Sequence, residues 1–226
     1  DIEAALRARA RGARVLVETH AALAPIVRIV DGVAVRKLAC LVMIAQSAAL
    51  LSLAPLETAG LVNGPVVIDA KSGISGAGKT PSDRTHFCEN HGSVAAYGIF
   101  SHRHTAEIEQ ELQRDVTFVP HLVPLDRGIL ETIYVPVVPG TTEGDVARVL
   151  TAAYAQSAFV RLTGGSLPEI KQVAYTNFCD IGWKVDDARP RAVLVAVLDN
   201  LLKGAAGQAV QNLNLMLGLD ERTGMR

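Results

Sequence analysis

Two histidines flank an arginine immediately before a predicted helix. Residues 101–104 read Ser-His-Arg-His, and the segment 104–113 has helical spacing. Histidine exchanges protons near neutral pH, and Arg103 between His102 and His104 makes an electropositive corner suited to an anionic substrate. A plain polar helix cap is the alternative interpretation. A metal site is not expected, because no third ligand stands at a suitable spacing.

A glycine-rich loop follows a short apolar strand. The strand is predicted at 66–70, and the loop reads SGISGAG from Ser72 to Gly78. Its glycines let the backbone approach a ligand closely, and the hydroxyls of Ser72 and Ser75 could bind a phosphate or a carboxylate. The spacing matches neither a Walker loop nor a GxGxxG dinucleotide fingerprint. A tight surface connection is the other interpretation of this loop.

Polar side chains also gather around the ends of two later segments. His121 and Arg127 stand with two prolines near a predicted strand end, and a lone histidine such as His121 is typical of a structural role. Asp199 is a suitable N-cap for the last long helix. Asn200 and Lys203 then lie one turn apart at a helix N-terminus, where they could meet a phosphate or an amide of a cofactor. An ordinary solvated first turn is equally compatible with these residues.

The composition restricts the class of protein. Hydrophobic residues make up 49 % of the 226 residues, and the charges are scattered with a formal net charge of −1. This pattern indicates neither nucleic acid nor an anionic membrane as a partner. We expect no secretory signal, and polar residues within the apolar run 38–56 favour a buried helix over a membrane span. Three cysteines without a CxxC pattern fit a reducing compartment, so the sequence predicts a soluble, cytoplasmic protein.

The order of the predicted elements indicates an α+β domain. Several strands follow one another without an intervening helix, which favours a mixed, largely antiparallel sheet over a doubly wound one. The predicted strands are 14–18, 66–70, 94–100, 116–123, 129–138 and 193–198, together with the segment TNFCDIG, in which Cys179 is interpreted as a packing residue. The predicted helices are 2–12, 47–59, 104–113, 143–156 and 200–217.

Five motifs occur in an order that resembles one enzyme family. They read SGISGAGK, SHRHTAEIEQEL, FVPHLVPLDRGILETIY, TNFCDIGWKVD and DNLLKGAAGQAVQNLNLMLG. Over residues 47–225 the chain resembles N-acetyl-gamma-glutamyl-phosphate reductases of arginine biosynthesis, and their lysine-pathway relatives that act on aminoadipyl phosphates. The resemblance implies a fold like the C-terminal domain of glyceraldehyde-3-phosphate dehydrogenase, with flanking helices on a mixed sheet. It also implies a catalytic and dimerisation domain at 47–226, whose final helix, 200–217, packs back toward an NADP-binding Rossmann domain.

The resemblance also implies the chemistry of the site. In the family, a cysteine thiolate displaces phosphate from an acyl phosphate, NADPH reduces the thioester to a semialdehyde, and a histidine acts as acid and base. His104 matches that histidine. The residues implied for the substrate are His102, Arg103, Arg127 and Ser72, and those implied for NADP are Ser72, Gly73, Ser75, Asn200 and Lys203.

The chain departs from the family pattern at the nucleophile. The family cysteine stands in an N-P-G-C segment before the helix that begins near Ser47, and this position is Ile44 here. Cys40 lies four residues upstream and is the remaining candidate nucleophile, although it lacks the Pro-Gly turn that would present a thiol. Residues 1–46 show no glycine-rich Rossmann fingerprint. We therefore expect a divergent N-terminal segment, from truncation, rearrangement or a frame error, and impaired catalysis.

Three functional hypotheses follow from these observations. The chain is an impaired reductase of this family, a non-catalytic remnant that dimerises through the exposed face of its sheet, or a module that binds a phosphate ligand. The apolar side of the final helix, 200–217, would be uncovered without a Rossmann domain. We therefore expect a homodimer or homotetramer, a small-molecule acyl phosphate as substrate, and no nucleic acid or membrane as a partner.

Overall fold

The computed structural model describes residues 47–78 and 80–225 of the chain. The predictions for Cys40, for Ile44 and for the elements at 2–12 and 14–18 therefore lie outside the described residues.

The described residues form two units, one up to Gly207 and one from Gln208 onward. In both units, the described helices are too short or too polar to cross a membrane. The first unit contains one sheet and most of the helices. The strands are β1 (Val66–Gly73), β2 (Ala95–Ala96), β3 (Val116–Val123), β4 (Ile129–Pro136), β5 (Val160–Gly164), β6 (Cys179–Val185) and β7 (Arg191–Leu198). The helices are α1 (Ser47–Thr58), α2 (Phe87–Asn90), α3 (Arg103–Leu112), α4 (Glu143–Tyr154) and α5 (Gly207–Leu217), the last of which belongs almost wholly to the second unit.

The seven described strands form one sheet in the order β2-β3-β1-β4-β7-β6-β5. β1 runs parallel to β3, and β5 runs parallel to β6. The other neighbouring strands are antiparallel. The predicted α+β class, with a mixed and largely antiparallel sheet, is confirmed.

The strand predicted at 94–100 is wrong for most of its length. Only Ala95–Ala96 pairs with β3. Gly98 and Phe100 have positive φ values of 57° and 59°, which turn the chain away from an extended path. The short edge strand β5 was missed, and the strand predicted at 66–70 continues to Gly73, within the glycine-rich segment.

Helices α1, α3 and α4 cover one face of the sheet. Each turns apolar side chains inward, and Leu53 and Leu56 of α1, Ile108 of α3 and Leu150 of α4 are fully enclosed. Helix α1 lies between the other two and packs against both. The burial of these side chains is the main source of stability in this layer, at roughly 2 kcal/mol for each.

A tyrosine compensates for a proline inside α1. Pro55 has no N–H to donate to the carbonyl of Leu51, one turn earlier in the helix. The hydroxyl of Tyr154, at the end of α4, donates to that carbonyl at 2.6 Å. The substitute hydrogen bond satisfies α1 and fastens it to α4.

Helices α1, α3 and α4 of the first unit do not cover the opposite face of the sheet, and we call it the open face. Its half-exposed and exposed side chains are Val67, Asp69, Lys71, Thr117, Val119, His121, Leu130, Thr132, Tyr134 and Val193. The register aligns them in rows across the strands, as in Thr117, Val67, Tyr134 and Val193. One face of an antiparallel sheet commonly meets solvent or a partner in this way.

In the second unit, a short tail folds back on α5. The side-chain amide of Asn214 donates to the carbonyls of Glu221 at 3.2 Å and Thr223 at 2.8 Å. Several apolar side chains of this unit stay 37–48 % exposed, namely Val210, Leu215, Leu217 and Leu219. The association that the sequence predicts through this apolar side stays a prediction.

Candidate active site

One edge of the sheet collects the ends of several strands. β1 and β3 end there at Gly73 and Val123, and β7 ends at Leu198. β4 begins there, and its first residue, Ile129, is paired with both Ser72 and Leu198. The structure therefore brings together three predicted groups: the glycine-rich loop, the turn before β4, and the start of the last helix.

Gly73 is required by close packing of two backbones. A Cβ atom at this position would stand 2.8 Å from the carbonyl oxygen of Leu125. The amide of Gly73 donates to the carbonyl of Gly128 at 2.9 Å, and the amide of Ile74 donates to that of Leu125 at 2.8 Å. Gly73 thus joins the glycine-rich loop to the turn before β4, and its predicted contact with NADP stays a prediction.

Asn200 lies at the start of the last helical segment, residues 200–217, and hydrogen-bonds to both the glycine-rich loop and the turn before β4. Its Oδ1 accepts the amide N–H of Gly128 at 2.7 Å, and its Nδ2 donates to the hydroxyl of Ser75 at 2.9 Å. The hydroxyl of Ser75 donates in turn to the carbonyl of Asp126. Asn200 is 5 % exposed, so its amide is used for holding the loops in place. The cofactor roles predicted for Asn200 and Ser75 are untested by this geometry.

Arg127 is bound to a buried carboxylate. Its Nη1 lies 3.1 Å and 3.3 Å from the two oxygens of Asp199, and its guanidinium stacks over the ring of Tyr175 at 4.5 Å. The carboxylate also accepts amide N–H groups from Tyr175, Leu201 and Leu202 at 2.7–3.0 Å. Burial alone would raise the pKa of Asp199, but these amides and Arg127 lower it. Asp199 is therefore ionised and caps the helical start, as predicted, and Arg127 balances its charge.

Residues His102, Arg103 and His104, which we call the histidine corner, form the N-terminus of α3. His102 is the N-cap, and its Nδ1 accepts the amide N–H of His104 at 3.2 Å. The two rings meet edge to face with centroids 4.5 Å apart, and both lie near Phe118. Burial, with a smaller contribution from Arg103, lowers the pKa of His102. His102 is therefore neutral at neutral pH, and since its Nδ1 is an acceptor, its ring proton sits on Nε2.

Helix α1 leads into β1 and helix α3 leads into β3, and these two strands are parallel. The two helices pack against each other and therefore run in the same general direction. Arg114, just after the end of α3, bonds the carboxylate of Glu57 near the end of α1 and the carbonyls of Val62 and Gly64. Because these C-terminal ends are joined, the N-terminal ends also lie together. The histidine corner is thus beside the start of α1, the helix that the family's nucleophile segment precedes.

A buried glutamate lies under the start of α1. Glu131, the third residue of β4, is 2 % exposed, and its carboxyl accepts the amide N–H of Ala49. Its neighbours in the sheet are Ala70 and Ala196, whose small side chains leave it room. Its Oε2 has no hydrogen-bond partner among the described residues, and burial raises the pKa of Glu131 to about 8.

The sequence analysis overlooked Glu131, although a signal for it was present. Residues 131, 133 and 135 have the same parity in a predicted strand, so they point to the same face. With Ile133 and Val135 on the core side, a carboxyl at position 131 had to be buried.

Lys203 and Cys179 are enclosed close to this edge. Lys203 is 2 % exposed, with its Nζ 5.6 Å from the ring centroid of Phe159. Burial raises the pKa of the Cys179 thiol to about 12, although the charge of Lys203 opposes this. Cys179 is therefore a packed thiol and not a nucleophile, in agreement with the sequence interpretation, whereas the predicted contact of Lys203 with NADP stays a prediction.

The exposed parts of the site are few. Arg103 and the tip of the glycine-rich loop, Gly76–Gly78, are exposed, whereas Ser72 is half-buried. The described residues contain no group of three or more side chains suited to hold a metal ion. A ligand at this edge would meet loop backbone, the histidine corner and the start of α1.

Comparison with known proteins gives the family. Residues 45–200 match the family described as semialdehyde dehydrogenase, dimerisation domain. N-acetyl-gamma-glutamyl-phosphate reductase of Desulforapulum autotrophicum is 48 % identical over 184 residues, covering 78 % of this chain and 53 % of that protein. The reductase of the same name from Syntrophobacter fumaroxidans is 46 % identical, with 78 % and 54 % covered. The chain thus spans about half the length of these curated relatives.

Solved structures agree with the fold. Aspartate semialdehyde dehydrogenase II of Vibrio cholerae superimposes with a TM-score of 0.62 at 18 % identity, covering 77 % of this chain and 61 % of that one. A probable aspartate-semialdehyde dehydrogenase of Pseudomonas aeruginosa gives 0.59 at 17 % identity, with 75 % and 61 % covered. The resemblance stated from the five motifs is confirmed, and the chain belongs to the semialdehyde dehydrogenase family, of which it carries the dimerisation domain.

Proposed function

We propose that the chain is the catalytic and dimerisation half of an NADP-dependent N-acetyl-gamma-glutamyl-phosphate reductase, which converts an acyl phosphate to a semialdehyde in arginine biosynthesis. The observation that carries this proposal is that the glycine-rich loop, the histidine corner and the start of α1 lie toward the same edge of the sheet. The similarity to reductases of that name supports the substrate class. Such an enzyme belongs in the cytoplasm.

His104 is the proposed acid and base. The neutral ring of His102 accepts the amide of His104, which holds the first turn of α3 and the ring of His104 in a defined orientation. The exposed side chain of Arg103 places a positive charge next to His102 and His104, and this charge would attract the phosphate or carboxylate of a substrate. Arg127 serves this site indirectly, since it neutralises the carboxylate that fixes Tyr175 and the last helical segment.

NADP fits this chain only in part. The side chains of Asn200 and Ser75, which the resemblance implies for NADP, make hydrogen bonds within the protein, and the side chain of Lys203 is buried. The exposed backbone of Gly76–Gly78 is the part that a cofactor would approach. When bound, the cofactor would supply the hydride. The chain's own residues would orient the acyl group and move its proton.

Ile44 in place of the nucleophile is the reason to expect impaired activity. A thiol at this position would attack the acyl carbon of an acyl phosphate, forming a C–S bond while the C–O bond to phosphate breaks and phosphate leaves. This half-reaction needs no cofactor. It therefore tests the site directly in the variant Ile44→Cys.

The experiment is to incubate the parent, Ile44→Cys and Ile44→Cys/His104→Asn with N-acetylglutamyl phosphate and to measure released phosphate and the mass of the protein. We expect phosphate release and an acyl adduct with Ile44→Cys and at most slow reaction with the parent, while His104→Asn slows the reaction of the introduced thiol. Cys40→Ser, tested in both backgrounds, shows whether Cys40 is a displaced nucleophile. No adduct in any variant of the folded protein would overturn the assignment. A faster reaction with aminoadipyl phosphate would point to the lysine-pathway relatives.

We further propose that the chain self-associates through the open face. The family match describes a dimerisation domain and covers every residue of that face. Apolar side chains such as Val67, Val119, Leu130 and Val193 are half-exposed there. A chain that dimerises but forms no adduct would favour a non-catalytic dimerising module, for which the isoleucine at position 44 is the specific observation.

A further inference from the structure

Three ionisable side chains form a cluster within the open face. Asp69 and Lys71 are on β1, and His121 on β3 is the register partner of Lys71. One carboxylate oxygen, Oδ1 of Asp69, lies 2.8 Å from Nζ of Lys71 and 3.1 Å from Nδ1 of His121. Flanking residues in the sheet are uncharged, since Asp69 is paired with Val119 on β3 and Thr132 on β4.

The cluster is unsuited to contact with a purely apolar surface. Its side chains are 21–31 % exposed, so a partner that covers the face would remove their remaining water. The ammonium of Lys71 has three donors and the imidazole of His121 has a second nitrogen, yet both face the same oxygen of Asp69. Unpaired donors and charges are costly to bury, so a stable partner must supply acceptors at this position.

A second copy of this chain supplies such acceptors. In a two-fold interface the same patch appears on both sides, so a cluster that lies on the two-fold axis meets its own counterpart and presents one carboxylate and two donor groups to it. Given the proposed self-association through the open face, we infer that Asp69, Lys71 and His121 of one copy pair with the same residues of a second copy and fix the register of the dimer. The apolar residues around the cluster contribute buried area, and the cluster determines which alignment of the two sheets is accepted.

Two charge reversals test this inference. Asp69→Lys makes the cluster wholly cationic, and Lys71→Glu makes it predominantly anionic. Each variant alone would place like charges opposite each other, and we expect its dimer dissociation constant to rise about tenfold or more. An equimolar mixture of the two variants should form a heterodimer with a dissociation constant within about threefold of the parent's. Sedimentation velocity with one variant carrying a fluorescent label separates heterodimer from homodimer.

The control variants carry the same kinds of charge change on the other side of the molecule, on the exposed surface of helices α3 and α4. Glu111→Lys on α3 and Arg148→Glu on α4 are exposed and should leave the dissociation constant unchanged. A monomeric parent would refute the proposed self-association itself. A dimeric parent whose two cluster variants dimerise normally, or whose mixture is not rescued, would refute only the inferred pairing. If a charge reversal unfolds the chain, Asp69→Asn and Lys71→Gln replace the reversals, and the inference fails when each leaves the constant unchanged.

Discussion

Glu131 makes the stability of the fold depend on pH in a calculable way. Its carboxyl is 2 % exposed, and burial raises its pKa from 4.5 to about 8, although the amide of Ala49 opposes the shift. Such an acid stays protonated in the folded chain while the unfolded chain already ionises. The stability associated with this group is therefore complete below pH 4.5 and is lost as the pH rises toward 8.

The variant Glu131→Gln removes this loss. Between the two pKa values, the parent should lose about 1.4 kcal/mol of unfolding free energy for each pH unit, and about 5 kcal/mol over the whole interval. Glutamine keeps an acceptor oxygen for the amide of Ala49 and does not titrate. The described residues offer no acceptor for its amide group where Oε2 now lies, but the cost of that unpaired donor is the same at every pH.

The assay is urea unfolding of parent and variant, followed by circular dichroism at several pH values from 5 to 8.5. We expect the variant to gain stability over the parent by roughly 1 kcal/mol per pH unit. Glu111→Gln, on the exposed side of α3, is the matched control and should follow the parent. Parallel curves for Glu131→Gln and the parent would refute the reasoning, because the carboxyl would then titrate alike in the folded and unfolded chains.

Three further predictions concern single side chains. Because burial raises the pKa of Cys179 to about 12, iodoacetamide at pH 8 should label the exposed Cys88 and leave Cys179 unmodified until urea is added, as peptide mapping would show. Asn200→Ala should lower the free energy of unfolding by about 2 kcal/mol or more, because it leaves the buried amide N–H of Gly128 without an acceptor. A change of less than half that size in chemical denaturation would show that this hydrogen bond does not hold the loops together. Gly128→Ala should also lower the free energy of unfolding by about 2 kcal/mol or more, since the φ of Gly128 is 107° and a Cβ would lie 2.2 Å from the side chain of Ile170. An unchanged melting temperature would contradict this prediction.

The sequence predicts those parts of the site that depend on short-range pattern. His102 and Asp199 precede helical segments, and both do cap them. Of the two interpretations offered for the histidine corner, the helix cap is present, and it is compatible with catalysis by His104. Strands β3 and β4 follow from alternation of apolar and polar residues, which also locates the buried face.

Long-range contacts could not be predicted in this way. Nothing near Asn200 in the sequence indicates that its amide is consumed by Gly128 and Ser75, which lie 72 and 125 residues away. The ion pair between Arg127 and Asp199 is equally long-range, and nothing in the sequence around Arg127 indicates this partner. The strand wrongly expected at 94–100 fails because positive φ at a bulky residue, Phe100, is set by its surroundings and not by local preference.

The order of strands in the sheet has a consequence for synthesis of the chain. β7, which comes last in the sequence, lies between β4 and β6 in the sheet. While a ribosome is still extending the chain, β4 therefore exposes one unpaired edge, and Asn200 has not yet reached the loops that it joins. An open edge of this kind invites pairing with other nascent chains. The site becomes ordered only when nearly all of the first unit has left the ribosome, and until then pairing between neighbouring nascent chains competes with correct folding.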